Sequence, residues 1–477
     1  MKEITVIRLT LLTLIANVLA VTALIGQSWQ QCGSLPEAMA PSALAVNGKI
    51  YAVRGNNFYR GNLTEPSSMY EYDPSTNIWI KKGTMNTLRT LSSLIELNGK
   101  IYAIGGVTNN TYATSITMAD VESYDIATGN WQTKSSIPKS LYVFGLVTVQ
   151  GKIYVLGGSN KTMINGTRKD STSNQLYEYS PESDTWTTKA SMLKHRSWSD
   201  AVTVNNKIYA IGGNNGIPLS GENTIEEYDI ASDSWTQRAT FTNGFDGQCQ
   251  AVVMNGKIYT LSSDVISTGA FTKALIGEYD PATGTWVEKT QMLSPIMDFS
   301  KVVCNNQLYM IGGHLVSGMT FSNKVIKYDP ATNSQLSLPD ISQWYNAVVE
   351  TGGIIYAVGG VNNSGSYINR VIKYDTKNDA TPVQKMQNKP ESFLLEQNYP
   401  NPFNPTTRIV YRINKNARVT LTVCDLLGQK IATLIDEEKA AGEHSVNFDA
   451  SRYCSGVYYY RLSCDGFYSA RKMLIMK

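Results

Sequence analysis

Beyond residue 27 the chain consists of short runs in which apolar and polar residues alternate, separated by clusters of Asn, Gly, Asp and Ser. One unit of the pattern, residues 198–240, holds four such runs: WSDAVTV, KIYAIGG, TIEEYDI and SWTQRAT. Alternation with a period of two is typical of half-buried strands, and the polar clusters are typical of tight turns. No amphipathic helical stretch of ten or more residues separates the runs, so the pattern predicts an all-β chain.

The four-run unit recurs seven times at a spacing of about 50 residues. Each copy contains a segment like NGKIYAIGG, and the shared tyrosines are Tyr51, Tyr102, Tyr154, Tyr209, Tyr259, Tyr309 and Tyr356. In five copies a second tyrosine is followed seven residues later by a tryptophan: Trp79, Trp131, Trp186, Trp235 and Trp286. Four antiparallel strands per unit, repeated radially, predict the blades of a β-propeller.

The order of glycine doublet, Tyr-Asp and Trp resembles the kelch motif, whose repeats are near 50 residues long. The resemblance covers about residues 28–386 and implies a seven-bladed kelch β-propeller, to which we assign residues 27–386. The sixth and seventh copies have Gln335 and Thr381 in place of Trp. Residues 28–39, SWQQCGSLPEAM, resemble a fourth strand, so we predict that they complete the seventh blade and close the ring.

The first 26 residues have the composition of a secretory signal peptide. Lys2 and Arg8 precede an apolar run over residues 9–25, and the small residues Ala20, Ala23 and Gly26 end it. The alternative is a permanent membrane anchor, which needs about 20 apolar residues. We favour cleavage, which leaves no integral membrane span in the mature protein.

After a linker at residues 387–397, the segment NYPNPFNPTT crowds Asn and Pro together, and six short alternating runs follow. Residues 398–477 therefore predict a small immunoglobulin-like β-sandwich. The motifs NYPNPFNPTT, DLLGQKIATL, SGVYYYRL and ARKMLIMK, in that order, resemble the type A sorting domain of the type IX (Por) secretion system. The resemblance implies handling by that secretion machinery and an extracellular or outer cell-surface location; the alternative is a sandwich module that itself binds a ligand.

Composition excludes several classes of protein. The chain has 42 Lys and Arg against 39 Asp and Glu, a net charge of +3, so no basic surface for a nucleic acid is expected. The 42% of hydrophobic residues suffice for a large core. The six cysteines form no C-x-x-C pair and show no metal-ligand spacing, so we expect no metal and no cofactor. Cys454 and Cys464 flank one predicted strand and cannot pair, whereas a Cys424–Cys464 disulfide stays open.

In a four-stranded antiparallel blade, alternate connections lie at the same end of the strands. The second-to-third loops and the connections between blades are therefore on one face of the propeller, which we call the variable face. The loops on this face vary in length, the longest being residues 107–121, 159–176 and 214–224, and variable loops on a rigid scaffold usually carry recognition. Aromatic residues beside Arg and Asp suit a carbohydrate. The alternative is that Trp198 and Trp344 pack between blades and that the charges are only solvated. The candidate binding residues are Arg89, Tyr142, His195, Arg196, Trp198, Asp246, Asp298, His314, Trp344 and Tyr345.

The sequence favours a binding protein that recognises a glycan or a surface protein through the variable face, and leaves catalysis open. A sugar-modifying enzyme at the channel mouth, similar to a sialic-acid mutarotase, is the alternative, with His195 and Asp246 as acid and base groups and Arg196 as the arginine. A copper radical oxidase similar to galactose oxidase is disfavoured, because only His195 and His314 lie in the propeller. No sialidase box, Ser-His-Asp order or phosphate loop is present.

Overall fold

The protein forms two compact units, Met1–Asp379 and Ala380–Lys477. The computed structural model describes residues 28–56, 67–108, 115–164, 167–216, 221–241, 249–265, 271–294, 296–297, 299–315, 320–344, 346–362, 364–378, 394–413, 415–425, 429–464 and 467–476. The proposed signal peptide and residues 379–393, which include most of the proposed linker, lie outside these ranges. All regular structure within them is β, apart from one 3-10 turn at Thr376–Asn378, which confirms the all-β class. None of these residues belongs to a helix long and apolar enough to cross a bilayer.

Short strands make up the first unit. In chain order they are β1 (Gln30–Gln31), β2 (Ala40–Val46), β3 (Lys49–Asn56), β4 (Ser68–Asp73), β5 (Ile78–Thr84), β6 (Ser93–Leu97), β7 (Lys100–Ile104), β8 (Val121–Asp125), β9 (Asn130–Lys134), β10 (Gly145–Val149), β11 (Lys152–Leu156), β12 (Ser159–Ile164), β13 (Thr167–Thr172), β14 (Leu176–Ser180), β15 (Thr185–Lys189), β16 (Asp200–Val204), β17 (Lys207–Ile211), β18 (Thr224–Asp229), β19 (Ser234–Thr240), β20 (Gln250–Met254), β21 (Lys257–Val265), β22 (Phe271–Asp280), β23 (Thr285–Gln291), β24 (Ile296–Met297), β25 (Ser300–Cys304), β26 (Gln307–Ile311), β27 (His314–Leu315), β28 (Thr320–Phe321), β29 (Val325–Asp329), β30 (Ser334–Leu338), β31 (Ala347–Thr351), β32 (Ile354–Val358) and β33 (Val371–Asp375).

Within the described part of this unit the strands form seven four-stranded antiparallel sheets, which we call blades 1 to 7. Their orders are β2-β3-β4-β5, β6-β7-β8-β9, β10-β11-β14-β15, β16-β17-β18-β19, β20-β21-β22-β23, β25-β26-β29-β30 and β31-β32-β33-β1. The first strand of each blade contacts the first strand of the next, and β31 contacts β2, so the blades form a closed ring. Apolar clusters between successive blades form the core.

The recurring Tyr and Trp face each other across the outer hairpin of a blade. Tyr179 pairs with Trp186 in the register of β14 and β15, and their ring centroids lie 4.9 Å apart. The Trp186 indole N–H donates to the carbonyl oxygen of Ser135, in the preceding blade, at 2.7 Å. Because the same residues recur, one hairpin both completes its own blade and attaches it to the blade before.

The glycine doublet allows the second strand of a blade to leave the sheet close to neighbouring backbone. In blade 2, Gly105 and Gly106 have φ angles of 60° and 102°, which favour glycine. A Cβ atom on Gly105 would lie 2.5 Å from the carbonyl oxygen of Leu141, and one on Gly106 would lie 2.4 Å from that of Thr90. The close approach of these chains therefore excludes any side chain at either position.

The N-terminal segment supplies the fourth strand of blade 7. Gln30 lies opposite Lys373 in the pairing of β1 with β33, so the two ends of the unit share one sheet. The Trp29 ring lies 5.4 Å from that of Tyr374, and its indole N–H donates to the carbonyl oxygen of Pro339 at 3.0 Å. Trp29 thus makes in blade 7 the contacts that the tryptophan of a continuous blade makes.

The second unit contains β34 (Leu394–Leu395), β35 (Thr406–Ile413), β36 (Ala417–Cys424), β37 (Lys430–Lys439), β38 (Gly442–Asp449), β39 (Gly456–Cys464) and β40 (Phe467–Ile475). Their sheets, β34-β35-β38 and β37-β36-β39-β40, share one apolar core, as in a sandwich. The Asn- and Pro-rich segment contacts both sheets. Its Asn398 donates to Thr407 at 2.9 Å, and its Phe403 N–H donates to the carbonyl oxygen of Leu474 at 3.1 Å.

None of the six cysteines is in a disulfide, and all except Cys454 are buried. Between β36 and β39, Cys424 lies opposite Tyr459, whereas Cys464 lies opposite Val419. The two cysteines are therefore at opposite ends of the strand pair, and the Cys424–Cys464 disulfide left open by the sequence is not formed.

Candidate functional site

The connections between blades enter the first strands through a strained residue on the variable face. Leu91, Val143 and Trp198 occupy equivalent positions in blades 2, 3 and 4, and their φ angles are 55°, 50° and 55°. Left-handed backbone is rare for bulky side chains and is concentrated at functional sites. At this position Trp198 is 44% exposed, and its N–H donates to the carbonyl oxygen of Val143 at 3.0 Å. The indole of Trp198 is thereby exposed on the variable face of the propeller.

Two predicted ligand-binding arginines are fully buried, which corrects their assignment. Arg89 forms an ion pair with Glu122 and donates to the carbonyl oxygen of Asp120 at 2.6 Å. Arg196 forms an ion pair with Glu226 and donates to the carbonyl oxygen of Gly212 at 2.6 Å. Guanidinium groups are buried only with partners of this kind. Both arginines therefore stabilise the blades and do not face a ligand.

The remaining candidates in blades 2 to 4 surround the hairpin of β12 and β13, which replaces the long loop predicted at 159–176. Tyr142 is buried beneath it, with the Lys161 Nζ 4.4 Å from the ring centroid. His195 is exposed, and its Nδ1 lies 3.0 Å from the carbonyl oxygen of Thr172 at the end of the hairpin. Of these two residues, only His195 is accessible on the variable face.

Trp344 is buried, as the alternative for this residue predicted. Its ring stacks on Phe321 at a centroid distance of 3.3 Å, and its indole N–H donates to the carbonyl oxygen of Asn362 at 3.1 Å. The backbone of His314 belongs to β27 and pairs with that of Met297. Asp246, Asp298 and Tyr345 lie outside the described residues.

A cavity of about 250 Å³ opens beside Trp198 at the channel mouth. It spans three blades, and its lining residues are Val143, Phe144, Trp198, Ser199, Asp200, Cys249 and Gln250. Pockets for drug-sized ligands measure about 300–1,000 Å³. A cavity of this volume therefore suits one small ring or one side chain.

The Ser199 hydroxyl makes the cavity more than a packing gap. Ser199 is only 8% exposed, and its Oγ has no hydrogen-bond partner among the described residues. Buried hydroxyl groups in native proteins are almost always satisfied, because an unpaired one costs about 1–3 kcal/mol. The Ser199 Oγ itself is closed to solvent, so a small rotation of the side chain would be needed to bring this unpaired hydroxyl to a polar ligand in the cavity.

An ion pair across the channel adds charge to the same cavity. Asp200, in blade 4, accepts a hydrogen bond from the Ala251 N–H of blade 5 at 2.8 Å and forms an ion pair with Lys301 of blade 6. Desolvation lowers the pKa of the Lys301 ammonium to about 7, whereas the Asp200 carboxylate favours the charged form. The cavity therefore presents a carboxylate with a cation bound behind it.

Ser199, Asp200, Cys249, Gln250 and Lys301 were not predicted from the sequence. The sequence does distinguish Lys301, because it is a charged residue at a position of the first strand where the other blades have small or apolar residues. Those residues are Ala43, Leu94, Leu146, Ala201, Ala251 and Val348. Ser199 had none, since only the closed ring shows that its hydroxyl lacks a partner.

Among the described residues that line the cavity, no nucleophile is activated. Burial raises the pKa of the Cys249 thiol to about 12, so the thiol is protonated at neutral pH and unreactive. The set predicted for a mutarotase-like enzyme loses its arginine, because Arg196 is committed to Glu226. In the part of the chain that the structure describes, no cluster of three or more His, Cys, Asp or Glu residues is arranged to hold a metal ion.

Comparison with protein families divides the chain as the two units do. Residues 40–262 match the KLHDC2/KLHL20/DRC7 Kelch-repeats domain, and residues 296–342 and 345–380 match the Kelch motif. Residues 397–476 match the secretion system C-terminal sorting domain.

Curated relatives share the repeat region. Kelch-like protein 36 of Bos taurus is 27% identical over 284 residues, which are 58% of this chain and 44% of the relative. Kelch-like protein 23 of Homo sapiens is 26% identical over 270 residues, 56% of this chain and 45% of the relative. The chain thus spans less than half the length of these two proteins. Kelch-like protein terF of Aspergillus terreus is 22% identical over 328 residues, 67% of this chain and 69% of the relative.

Among solved structures, one described as the structure of YjhT matches 64% of this chain and 98% of its own, at 14% identity and a TM-score of 0.49.

Proposed function

Because this chain is a kelch-repeat β-propeller protein with a C-terminal secretion-system sorting domain, we propose that it is an exported binding protein that recognises a saccharide at the Trp198 cavity. The sorting domain indicates type IX secretion, and hence export to the cell surface or the extracellular space. Residues 1–26 would direct the first step of that export as a cleaved signal peptide.

One observation carries the proposal: the buried, unpartnered Ser199 hydroxyl lines the same cavity as the half-exposed Trp198 indole. An aromatic face packs against the apolar C–H face of a sugar ring, while the hydroxyl groups of the sugar require directed polar partners. Ser199 supplies a donor and an acceptor, and Asp200 is an acceptor for hydroxyl groups. Together they match the two kinds of surface on one sugar ring.

The enzymatic alternative is not favoured by the described residues. The Cys249 thiol is held protonated, and Arg196 is buried with Glu226. A protein partner that inserts one polar side chain into the cavity is the remaining competitor for the site.

A glycan-array screen of the full mature chain, followed by calorimetry on each hit, tests the proposal. We expect a saccharide to bind saturably, and Trp198→Ala and Ser199→Ala each to weaken binding about tenfold or more, because each removes roughly 1.4 kcal/mol or more of contact. Tyr399→Ala is the matched control, since Tyr399 is 82% exposed but lies in the second unit.

Saccharide binding that survives both cavity variants would contradict the site. An array without hits would reject the saccharide, and cell-surface capture that depends on Trp198 would then identify a protein ligand.

A further inference from the structure

A second cavity on the opposite face arises from a change in a repeated turn. In four blades the hydroxyl group of the outer-hairpin tyrosine donates to an Asn or Asp five residues later. The pairs are Tyr72 with Asn77 at 2.7 Å, Tyr179 with Asp184 at 2.6 Å, Tyr228 with Asp233 at 2.6 Å and Tyr328 with Asn333 at 3.0 Å. These Asn and Asp residues all have left-handed φ angles of 48° to 59°.

The same side-chain oxygen also links successive blades. Asp184 Oδ1 accepts the Ser135 N–H at 3.0 Å, and Asp233 Oδ1 accepts the Ala190 N–H at 2.9 Å. Each N–H belongs to the preceding blade. One carboxylate therefore satisfies a buried tyrosine and a backbone donor in the gap between two blades.

Blade 5 has Gly284 at this position, also in left-handed backbone with φ of 70°. Tyr279 is fully buried, and its hydroxyl has no hydrogen-bond partner in the described part of the chain. The Trp286 indole N–H donates to Thr260 at 3.1 Å, within its own blade, whereas Trp186 donates to the preceding blade. The missing side chain thus leaves an unsatisfied donor in the gap between blades 4 and 5.

A cavity of about 290 Å³ occupies this gap. Its lining residues are Asn205, Lys207, Tyr209, Glu227, Arg238, Tyr279, Pro281, Ala282, Thr283 and Gly284. A Cβ atom on Gly284 would have no other atom within 4 Å, so the space next to the turn is open. Blade 2 also has glycine at this position, Gly129, and an unpaired Tyr124 hydroxyl, but there a Cβ atom on the glycine would lie 3.7 Å from that hydroxyl.

The lining residues of the cavity carry one more cation than carboxylate, an excess that Asp229 offsets from outside the lining. Among its lining residues two cations share one carboxylate: Lys207 Nζ lies 2.6 Å from Glu227 Oε1, and Arg238 Nη2 lies 2.9 Å from the same oxygen. Asp229 approaches Lys207 at 3.4 Å from outside the lining. A guanidinium has five N–H donors, so Arg238 retains donors beyond its Glu227 contact. A carboxylate in the cavity would meet these donors beside the buried Tyr279 hydroxyl, which it reaches if the lining side chains separate slightly.

We propose that this cavity binds a carboxylate group, in the place that Asp184 and Asp233 occupy in blades 3 and 4. The group comes from a small free acid or from an acidic residue of a peptide, since both present the same two oxygen atoms. The site is independent of the Trp198 cavity, which lies on the other face.

Calorimetry on the full chain tests the site with three probes: acetate, N-acetyl-aspartyl-amide and neutral acetamide. We expect a carboxylate probe to bind saturably and acetamide not to bind. Gly284→Asp should abolish binding and raise Tm, because the new side chain occupies the cavity and accepts from Tyr279 as Asp233 does from Tyr228. Tyr279→Phe should weaken binding about tenfold, the loss of one hydrogen bond to a charged group.

Gly256→Asp is the matched control. Gly256 also has left-handed φ, at 71°, with open space around it, but lies outside the cavity, so this variant should bind like the natural chain. Binding of acetate identifies a free acid, and binding of the aspartyl probe alone identifies an acidic peptide. Failure of both carboxylates to bind, or equal binding by Gly284→Asp, overturns the proposal.

Discussion

At the scale of single residues, a charged side chain is buried at one site of a blade where a side chain of opposite charge is buried beside it. In blade 4, Arg196 and Glu226 are both fully buried and paired. In blade 3 the two equivalent positions hold Leu141 and Tyr177, which pack in one apolar cluster. In the described residues of blades 2, 3, 4 and 6, this site therefore holds either a complete ion pair or no charge, because a single buried charge would be unsatisfied.

We predict that Arg196→Ile alone lowers the free energy of unfolding by about 3–5 kcal/mol, since it leaves Glu226 buried without its cation. The double variant with Glu226→Ile should recover most of this loss, because blade 6 holds Ile296 and Ile326 at the equivalent positions. About 1 kcal/mol should stay lost with the hydrogen bond from the Leu193 N–H to Glu226. Urea unfolding of both variants measures the difference, and equal stabilities would contradict the explanation.

At the scale of secondary-structure elements, the outer hairpin is the unit that joins one blade to the next. It combines a Tyr–Trp pair, a left-handed Asn, Asp or Gly in the turn, and an indole hydrogen bond to the preceding blade. Blade 7 assembles this arrangement from both ends of the unit, with Trp29 beside Tyr374. The Tyr–Trp contact joins residues close together in the chain in other blades, whereas in blade 7 it joins the two ends of the propeller and closes the ring.

Trp29→Ala should destabilise the propeller by about 2 kcal/mol, roughly half of the cost of removing a fully buried Trp, because Trp29 is half-buried. We expect Tm to fall by roughly 2–5 °C. Gln31→Ala, at an exposed position in the same strand, is the control. Calorimetric melting of the full chain measures both, and an unchanged Tm for Trp29→Ala would mean that β1 does not help to close the ring.

At the scale of the whole molecule, three blades repeat a buried glutamate that Lys and Tyr contact. In blade 5, Glu278 accepts from Tyr259 at 2.7 Å and pairs with Lys257 at 2.9 Å. Desolvation raises the pKa of this carboxyl, but the hydrogen bonds from Lys257 and Tyr259 outweigh it, so the net shift is downward. The pKa values of the Glu71 and Glu227 carboxyls are lowered in the same way.

These shifts predict acid lability. A carboxyl whose folded pKa lies below its unfolded value stabilises the protein above the unfolded value of about 4.5, and this contribution is lost as pH falls through the folded pKa. Glu278→Gln should therefore flatten the decline of unfolding free energy below pH 4.5. Glu437→Gln, whose carboxylate is exposed, should not. Denaturant titrations between pH 2.5 and about 6 compare the slopes, and identical slopes for all three proteins would rule out this role of Glu278.

The two arginines show where prediction of the site from sequence fails. Arg89 and Arg196 stand in connections that cross the variable face, so their positions in the chain suggest accessibility. Their side chains instead turn inward to Glu122 and Glu226, which are 33 and 30 residues away. Trp198 and Trp344 both precede a first strand, but they are one position apart in the repeat: Trp344 aligns with Ser197 and is 3% exposed, whereas Trp198 is 44% exposed. The direction of a side chain at a strand entrance depends on long-range partners.

By itself the sequence determined the all-β class, the repeated strands and the sorting domain, because alternation, turn residues and the Tyr–Trp spacing are local and recur in register. Tertiary structure alone decided that the Ser199 hydroxyl is unpaired, because its possible partners lie in distant parts of the chain. The Tyr279 hydroxyl is unpaired because its own hairpin has Gly284 where blades 3 and 4 have Asp184 and Asp233, but only the folded propeller shows that this leaves a cavity between two blades. Both proposed sites lie between blades, so the lining of each cavity depends on side chains that are distant in the chain.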